Sequence, residues 1–311
     1  MIRQMPPKRK LASVQQQRAL REHQALEEIM FSQSVDGILL LDPLTQRFIS
    51  FNPAAHQQLG YTREEFAALT VTDLQGEDPP DIVKANIDAA LAGEPGKPIQ
   101  FETTHRCKNG ELRNTLVILT PLTYGGRPLI CDVWRDITAQ KKAEREQRAV
   151  TDKLQLFSRL FSQISAMESA LEGDIPAFSR EVTELLGRSM QITRVSVWLY
   201  SDDDQVLECV DVFDLRFGEH STGMTVTVEL FRKEFDYLKH ARYVDANDAL
   251  TDYRTQGYGE VYLKPLGISS MLNCSIVSGG RNRGLIRFAY LKEPHTWDHD
   301  EIAFGCQVAD Q

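Results

Sequence analysis

The sequence predicts an α+β protein of two domains, in which each domain is an antiparallel sheet with flanking helices and a long helix joins the two. Three observations support this. The chain has 311 residues, enough for two domains that each bury a core. Strand-like segments that turn at glycine dipeptides occur in both halves. Between the halves, apolar residues recur at the seven-residue spacing of a long helix.

Composition and charge exclude several classes of protein. Hydrophobic residues make up 42% and charged residues 25%, which is ordinary for a globular chain. The net charge of −9 argues against general phosphate binding, so we expect no nucleic-acid partner. We find no apolar run of about 18 residues and no signal-peptide core, and therefore expect no membrane segment in this chain and a cytoplasmic location. The five cysteines are widely spaced and include no CxxC pair, so we expect reduced thiols and no metal site.

The first domain is predicted to follow a polar lead. Residues 1–24 form a helical or flexible lead, and its helix continues to about Phe31. Gly37–Leu41 and Arg47–Phe51 are strands joined by a turn, which predicts a hairpin. Two short helices then follow, because Asn52-Pro53 is a typical helix start and Thr62 with Glu65 forms a capping box.

A third helix and three strands complete this domain. The helix runs from about Asp81 to Leu91, and its apolar positions are Ile82, Ala85, Ile87, Ala89 and Ala90. The three strands, which turn at Asn109-Gly110 and at Gly125-Gly126, are Ile99–Cys107, Leu112–Leu122 and Pro128–Trp134. His105 and Cys107 point the same way, but two ligands do not complete a metal site, so we expect an exposed strand face there.

Residues 25–138 resemble a PAS domain. The resemblance rests on five segments in order, namely Phe51–Ala55, Leu59–Phe66, Lys108–Glu111, Tyr124–Arg127 and Arg135–Thr138. It implies a five-stranded antiparallel sheet with helices on one face and a ligand cavity between them. The pocket candidates that it implies, each of which could equally be ordinary core, are Ile87, Thr103, Val117 and Cys131. Residues 71–76 lack the cysteine of flavin-photoadduct relatives and residues 80–92 lack a haem-ligand histidine, so we expect neither cofactor.

Residues 139–172 are predicted to be a signalling helix that runs into the second domain. The helix begins beside Asp136 and Thr138 and ends at Gly173. Its heptad positions are Ala143, Val150, Leu154, Phe157, Phe161, Ile164 and Leu171. This pattern predicts a parallel two-helix seam and therefore a homodimer. The alternative is that Phe157, Phe161 and Ile164 pack the helix onto its own second sheet, and the two arrangements can coexist.

Residues 155–311 resemble a GAF domain. The segments that carry the resemblance are Arg194–Trp198, Tyr262–Ile268, Ser270–Leu272 and Thr296–Glu301. Strands are predicted at 194–199, 206–212, 271–277 and 285–291, and a last helix begins at Asp298 with Glu301 in capping-box position. The pocket candidates are Phe213, Tyr258, Tyr262 and Cys274. The sequence lacks the pattern of cyclic-nucleotide binders, and neither Cys209 nor Cys274 can be placed as a bilin attachment site, so we expect no bilin.

These resemblances imply a sensory input region of a bacterial signalling protein. We expect the chain itself not to be an enzyme, because the signatures of kinases, cyclases and phosphodiesterases are absent. Cys209, Cys274 and Cys306 show no recognisable reactive set either. The last helix has no glycine cap, which predicts that an output domain follows. We expect a histidine kinase; a diguanylate cyclase or phosphodiesterase, or a ligand-free dimerisation or docking module, are the alternatives. The sensed small ligand cannot be named from the sequence.

Overall fold

The computed structural model describes residues 8–94 and 96–311, with side chains described from residue 16 onward. The chain divides into two compact units, Met1–Arg148 and Ala149–Gln311. Among the described residues, no helix is long and apolar enough to cross a membrane. Each unit has its own sheet and its own hydrophobic core.

The first unit has the predicted order of strands and helices. Its elements are α1 (Lys8–Gln33), β1 (Gly37–Leu41), β2 (Phe48–Phe51), α2 (Pro53–Gln57), α3 (Arg63–Ala68), α4 (Pro80–Ala92), β3 (Ile99–Arg106), β4 (Leu112–Tyr124) and β5 (Arg127–Asp136). The five strands form an antiparallel sheet in the order β2-β1-β5-β4-β3. The core lies on one face of this sheet, where Phe66 and Trp134 are among its largest fully buried side chains.

Local capping interactions fix the two short helices as predicted. The Asn52 side chain accepts hydrogen bonds from the backbone N–H groups of Ala55 and Ile38, both at 3.0 Å, and so joins α2 to β1. Thr62 and Glu65 form the predicted capping box at the start of α3. Both helix starts are therefore determined by residues within a few positions of each other.

Two predictions for this unit are wrong. His105 and Cys107 are buried and do not form an exposed face, because the segment before α4 pairs with β3 through Gln75 and His105 and covers this end of the sheet. On α4, Ile82 is 44% exposed, and the residues that pack inward are Val83, Ile87 and Ala90. Their spacing of four and three residues forms one helical stripe, and Ile82 lies beside it.

The second unit has a larger sheet. It begins within α5 (Thr138–Ser165) and continues with α6 (Glu168–Glu172), α7 (Ile175–Met190), β6 (Arg194–Tyr200), β7 (Val206–Asp214), β8 (Glu219–Ser221), β9 (Thr225–Thr227), α8 (Arg232–Leu238), β10 (Tyr243–Ala246), α9 (Lys264–Leu266), β11 (Ile268–Ser278), β12 (Arg281–Leu291) and α10 (His299–Ala309). The strand order is β10-β11-β12-β6-β7-β8, and β9 also pairs with β7. The capping box of Asp298 and Glu301 starts α10 as predicted.

This sheet is buried on both faces. Val195 and Val197 on β6 belong to the core cluster that also contains residues of α5, α7 and α10. Trp198 on the same strand belongs to a second cluster, built with residues 228–266. Polar side chains on the strands are consequently buried as well, and among them Asn273 and Arg287 are at most 2% exposed.

The predicted continuous helix to Gly173 is wrong. α5 ends at Ser165, where the N–H groups of Ala166 and Met167 bond to carbonyls three residues earlier and tighten the last turn. Leu171, the last predicted heptad position, is 79% exposed on the separate helix α6. Within α5, Phe157, Leu160 and Ile164 are buried in the core of the second unit. The later half of the segment therefore packs onto its own sheet, as the alternative hypothesis stated.

Candidate functional site

The core of the first unit contains a small cavity with polar walls. It encloses about 20 Å³, which is room for about one water molecule. Ile87 of α4 and Val117 of β4 contribute apolar wall, as predicted candidates for this place. The polar side chains that line the cavity are Gln75, Asp78, Asn86, His105 and Asp132.

Two polar atoms of the cavity wall, Nδ1 of His105 and Oδ1 of Asp132, are buried and have no hydrogen-bond partner among the described residues. Nε1 of Trp134 is also unpaired, but Trp134 is not part of the wall and this nitrogen lies beside Gly37. The Trp134 ring stands edge-on to the His105 ring, with the centroids 5.1 Å apart. Leaving a buried polar group unpaired costs about 1–3 kcal/mol. Binding partners that satisfied these atoms would therefore be favoured.

Burial shifts the pKa values of both titratable groups toward their neutral forms. It lowers the pKa of His105 to about 4, although the Asp136 carboxylate opposes this shift. It raises the pKa of Asp132 to about 7. Near neutral pH the cavity thus holds an uncharged imidazole, and burial favours the protonated form of the Asp132 carboxyl.

The predicted candidates Thr103 and Cys131 occupy different places relative to the cavity. The Thr103 hydroxyl lies 2.6 Å from Oδ2 of Asp78 and 2.9 Å from Oε1 of Gln75, at the edge of the polar wall. Cys131 lies on the opposite face of β5, and its neighbour Asp132 takes its place in the wall. Asp132 is not among the predicted candidates, although it alternates with the apolar Ile130 and Trp134, which places all three on one face.

The second unit contains a buried polar cluster, which we define as Glu234, Tyr258, Asn273 and Arg287. The Tyr258 hydroxyl and the Asn273 amide donate hydrogen bonds to the Glu234 carboxylate. Nε of Arg287 donates to Oδ1 of Asn273 at 2.8 Å, and Nη2 lies 3.6 Å from Oε1 of Glu234. Burial and the charge of Glu234 raise the pKa of Tyr258, which therefore stays protonated. Except for Nη2 of Arg287, these groups satisfy one another.

The four predicted candidates of this unit do not converge on one pocket. Tyr258 belongs to the cluster, and the Tyr262 ring centroid lies 5.3 Å from the Arg287 guanidinium carbon. Phe213 packs beside His220, with ring centroids 5.0 Å apart, and against α7. Cys274 lies on the other face of the sheet, in the core cluster that contains α10 residues. The sequence gives strand positions here, but not which face each residue occupies, because both faces are apolar.

The start of α5 is fixed to the sheet of the first unit. The Asp136 carboxylate accepts hydrogen bonds from the backbone N–H of Thr138 at 2.9 Å and from Arg113 at 3.1 Å. The Thr138 hydroxyl accepts a hydrogen bond from the N–H of Asn114 at 2.9 Å. These contacts join β4, β5 and the first turn of α5, so a change in the sheet would act directly on the beginning of the helix.

The remaining predicted linker residues differ in how exposed their side chains are. Val150 is 51% exposed and Leu154 is 48% exposed, whereas Phe157 is 7% exposed. Phe161 is half-buried and packs against the core of the second unit. No group of three or more metal-binding side chains that could hold an ion occurs in residues 8–94 and 96–311.

Comparison with known proteins identifies both units. Residues 35–139 match the PAS domain family, and residues 174–311 match the GAF domain family. Both matches begin later than the predicted ranges, 25–138 and 155–311. The additional residues belong to α1 and the segment that follows it and, in the second case, to the later half of α5 and the α6 region.

Two curated sensors are similar to most of the chain. A methyl sulfide methyltransferase-associated sensor of Methanosarcina acetivorans is 26% identical over 66% of this chain and 20% of its own length. Sensor histidine kinase TmoS of Ectopseudomonas mendocina is 25% identical over 61% of this chain and 19% of its own length. The chain thus spans about one fifth of the length of these relatives.

The solved structures include similar single domains. A domain of a sensory box sensor histidine kinase/response regulator from Geobacter sulfurreducens is 26% identical and covers 38% of this chain and 96% of its own, with a TM-score of 0.32. The PAS domain of an HTR-like protein from Haloarcula marismortui is 20% identical and covers 40% of this chain and 98% of its own, with a TM-score of 0.36. Residues 35–139 are a PAS domain, residues 174–311 are a GAF domain, and the chain is homologous to sensor histidine kinases and related sensors.

Proposed function

We propose that this chain is a sensory input region whose PAS cavity binds a small polar ligand. The observation that carries the proposal is the pair of buried cavity-wall atoms without partners, on His105 and Asp132. The GAF cluster is the weaker candidate, because its buried groups already bind one another. A ligand would gain more binding free energy in the PAS cavity, because it would supply hydrogen bonds to groups that have no partner.

The side chains of the cavity favour a ligand with both donors and acceptors. Burial favours the protonated form of the Asp132 carboxyl, which both donates and accepts, and the amides of Gln75 and Asn86 add one group of each kind. Small amides, ureas and imidazoles have this character. Because the cavity holds about one water molecule, a ligand of several heavy atoms enters by an outward shift of α4, whose Val83 and Ile87 form one wall.

The signal is proposed to pass along α5 to an output domain. The contacts of Asp136 and Thr138 support this, because they fix the helix start to the PAS sheet. The relative described as a sensor histidine kinase favours a kinase output over a diguanylate cyclase or phosphodiesterase. We also propose that two copies associate through the exposed part of α5, and that this chain has no catalytic activity of its own.

Ligand binding can be tested by thermal unfolding of the chain with a panel of small amides, ureas and imidazoles of four to eight heavy atoms. The variant is Asp132→Leu, which keeps the shape of the side chain but removes its polar atoms. Asp88→Leu is the matched control, because Asp88 lies on the exposed face of α4. A fragment at ten times its Kd adds about 1.4 kcal/mol, or several degrees in Tm for a domain of this size.

We expect at least one fragment to raise the Tm of the wild type and of Asp88→Leu by several degrees, and that of Asp132→Leu by less than half as much. Equal Tm shifts in all three proteins would show that the fragment binds outside the PAS cavity. A panel that leaves the wild-type Tm unchanged would contradict ligand binding and leave the ligand-free docking module as the better hypothesis.

A further inference from the structure

Two cysteines of the GAF domain, distant in the sequence, lie together in the structure. Cys274 is fully buried on β11, and Cys306 is half-buried on α10. The helix passes close to the strand: a Cβ atom added to Gly305 would lie 2.9 Å from Sγ of Cys274. The buried sulfur is therefore beside the helix backbone next to Cys306, and Cys306 packs against the core cluster that contains Cys274.

Arg242 lies at the same place. Its carbonyl accepts a hydrogen bond from the N–H of Ser275 at 2.9 Å, and the following residue, Tyr243, pairs with Cys274 across the sheet. Its guanidinium forms an ion pair with Asp310, just beyond α10. A cation is thus held at the edge of the sheet against the end of the helix that carries Cys306.

This environment favours the Cys306 thiolate. The Cys274 thiol lowers the pKa of Cys306 by hydrogen bonding and Arg242 lowers it by its positive charge, while burial acts in the opposite direction. Burial raises the pKa of Cys274, Cys107 and Cys131, and that of Cys209 to about 12. Of the five cysteines, Cys306 alone has its pKa lowered. Thiolates, and not thiols, react as nucleophiles.

We propose that Cys306 and Cys274 form a peroxide-reactive site that closes into a disulfide between α10 and β11. The Cys306 thiolate attacks one oxygen of a hydroperoxide, the O–O bond breaks, and Cys306 becomes a sulfenic acid while an alcohol or water leaves. Cys274 then loses its proton and its thiolate attacks the sulfenic sulfur; the S–S bond forms as the S–OH bond breaks, and the hydroxyl takes up the proton and leaves as water. In total two thiols lose two electrons to the peroxide, and a dithiol reductant reverses the reaction.

The disulfide would let the GAF domain respond to peroxide separately from any ligand of the PAS domain. It would tie the last helix of this chain to the central part of the sheet, where β11 pairs with both β10 and β12. The inference does not depend on the PAS cavity, because the two sites lie in different units and respond to different chemistry.

To test this, the reduced chain is treated with one equivalent of hydrogen peroxide. Its free thiols are then counted and its peptides are mapped without reductant. We expect the wild type to lose two of its five free thiols and to yield a Cys274–Cys306 disulfide. Cys274→Ser removes the resolving thiol, so dimedone should label Cys306 in that variant. Cys306→Ala should keep all four of its remaining thiols.

Cys131→Ser is the matched control, because Cys131 is also half-buried but has a raised pKa and lies in the PAS domain. It should form the disulfide as the wild type does, and circular dichroism checks that each variant is folded. Dimedone labelling that is as strong on Cys131 as on Cys306, or thiol loss that is unchanged in Cys306→Ala, would overturn the proposal. So would a wild type that keeps all five thiols.

Discussion

His105 and Asp132 respond to pH in opposite directions, although both line the same cavity. The folded-state pKa of Asp132 is raised to about 7, so between pH 4 and 7 the folded chain holds a proton that the unfolded chain releases. Its contribution makes the free energy of unfolding fall as the pH rises through this range. The folded-state pKa of His105 is lowered to about 4, so below pH 6.5 only the unfolded chain gains the proton. Its contribution makes the free energy of unfolding fall as the pH falls from 6.5 to 4.

The Asp132→Asn variant separates these two contributions. We expect its free energy of unfolding, relative to the wild type, to increase from pH 4 to pH 7 and then to level off, by about 1.4 kcal/mol per unit of pKa shift. Urea unfolding of both proteins at each pH measures the difference, in which all other titrating groups cancel. A difference that is constant between pH 4 and 8 would show that the Asp132 carboxyl has an ordinary pKa.

The sequence predicts the structural roles of some of these residues well and those of others not at all. Asn52, Thr62 and Asp298 are identified as helix caps because their partners lie within three positions in the chain. The burial of His105 depends instead on the segment before α4, about 30 residues away, and no local pattern reports that contact. The pairing of Cys274 with Cys306 depends in the same way on how α10 packs against β11.

Among the secondary-structure elements, α5 combines two kinds of surface. Its later half buries Phe157 and Ile164 in the GAF core, and the Phe157 ring stacks on Phe304 of α10 with centroids 4.4 Å apart. Val150 and Leu154 precede this buried stretch along the same heptad seam, and both are about half exposed. We propose that this exposed stripe is where two copies of the chain meet.

Leu154→Glu tests whether two copies of the chain meet at this exposed stripe. A charged group buried without a partner is unfavourable, and the lost leucine contact removes about 1.5–3 kcal/mol, so we expect the dimer Kd to rise at least about tenfold. Leu171→Glu makes the same change at an exposed leucine outside α5 and should leave the Kd unchanged. Analytical ultracentrifugation measures both. A wild type that is monomeric at high micromolar concentration, or equal effects of the two variants on the Kd, would contradict dimerisation through the exposed part of α5.

The sequence predicts the existence of the helices and strands better than their ends and faces. The heptad pattern continues to Leu171, yet α5 ends at Ser165, because its tightened last turn lies where Ile164 and Met167 both pack into the core. In the GAF sheet, period-two alternation predicts strands correctly but does not separate inside from outside, since both faces are covered. The pocket candidates there were consequently scattered over both faces.

At the scale of the whole molecule, the chain is two domains with separate cores and separate chemistry. The PAS domain holds unpaired polar groups around a small cavity, and the GAF domain holds two cysteines where its last helix passes the sheet. We propose a ligand for the first domain and an oxidant for the second, and we propose that ligand binding in the PAS cavity changes α5.

Hydrogen exchange measured by mass spectrometry detects such a change in α5, with the wild-type chain alone and with the fragment that raises its Tm most. We expect slower exchange in α4 and β3–β5 together with altered exchange along Thr138–Ser165, because Asp136 and Thr138 couple the sheet to the helix start. Asp132→Leu should lose both changes together. If protection were confined to the PAS core, and exchange in α5 were identical in the presence and absence of the fragment, ligand binding would not reach the helix.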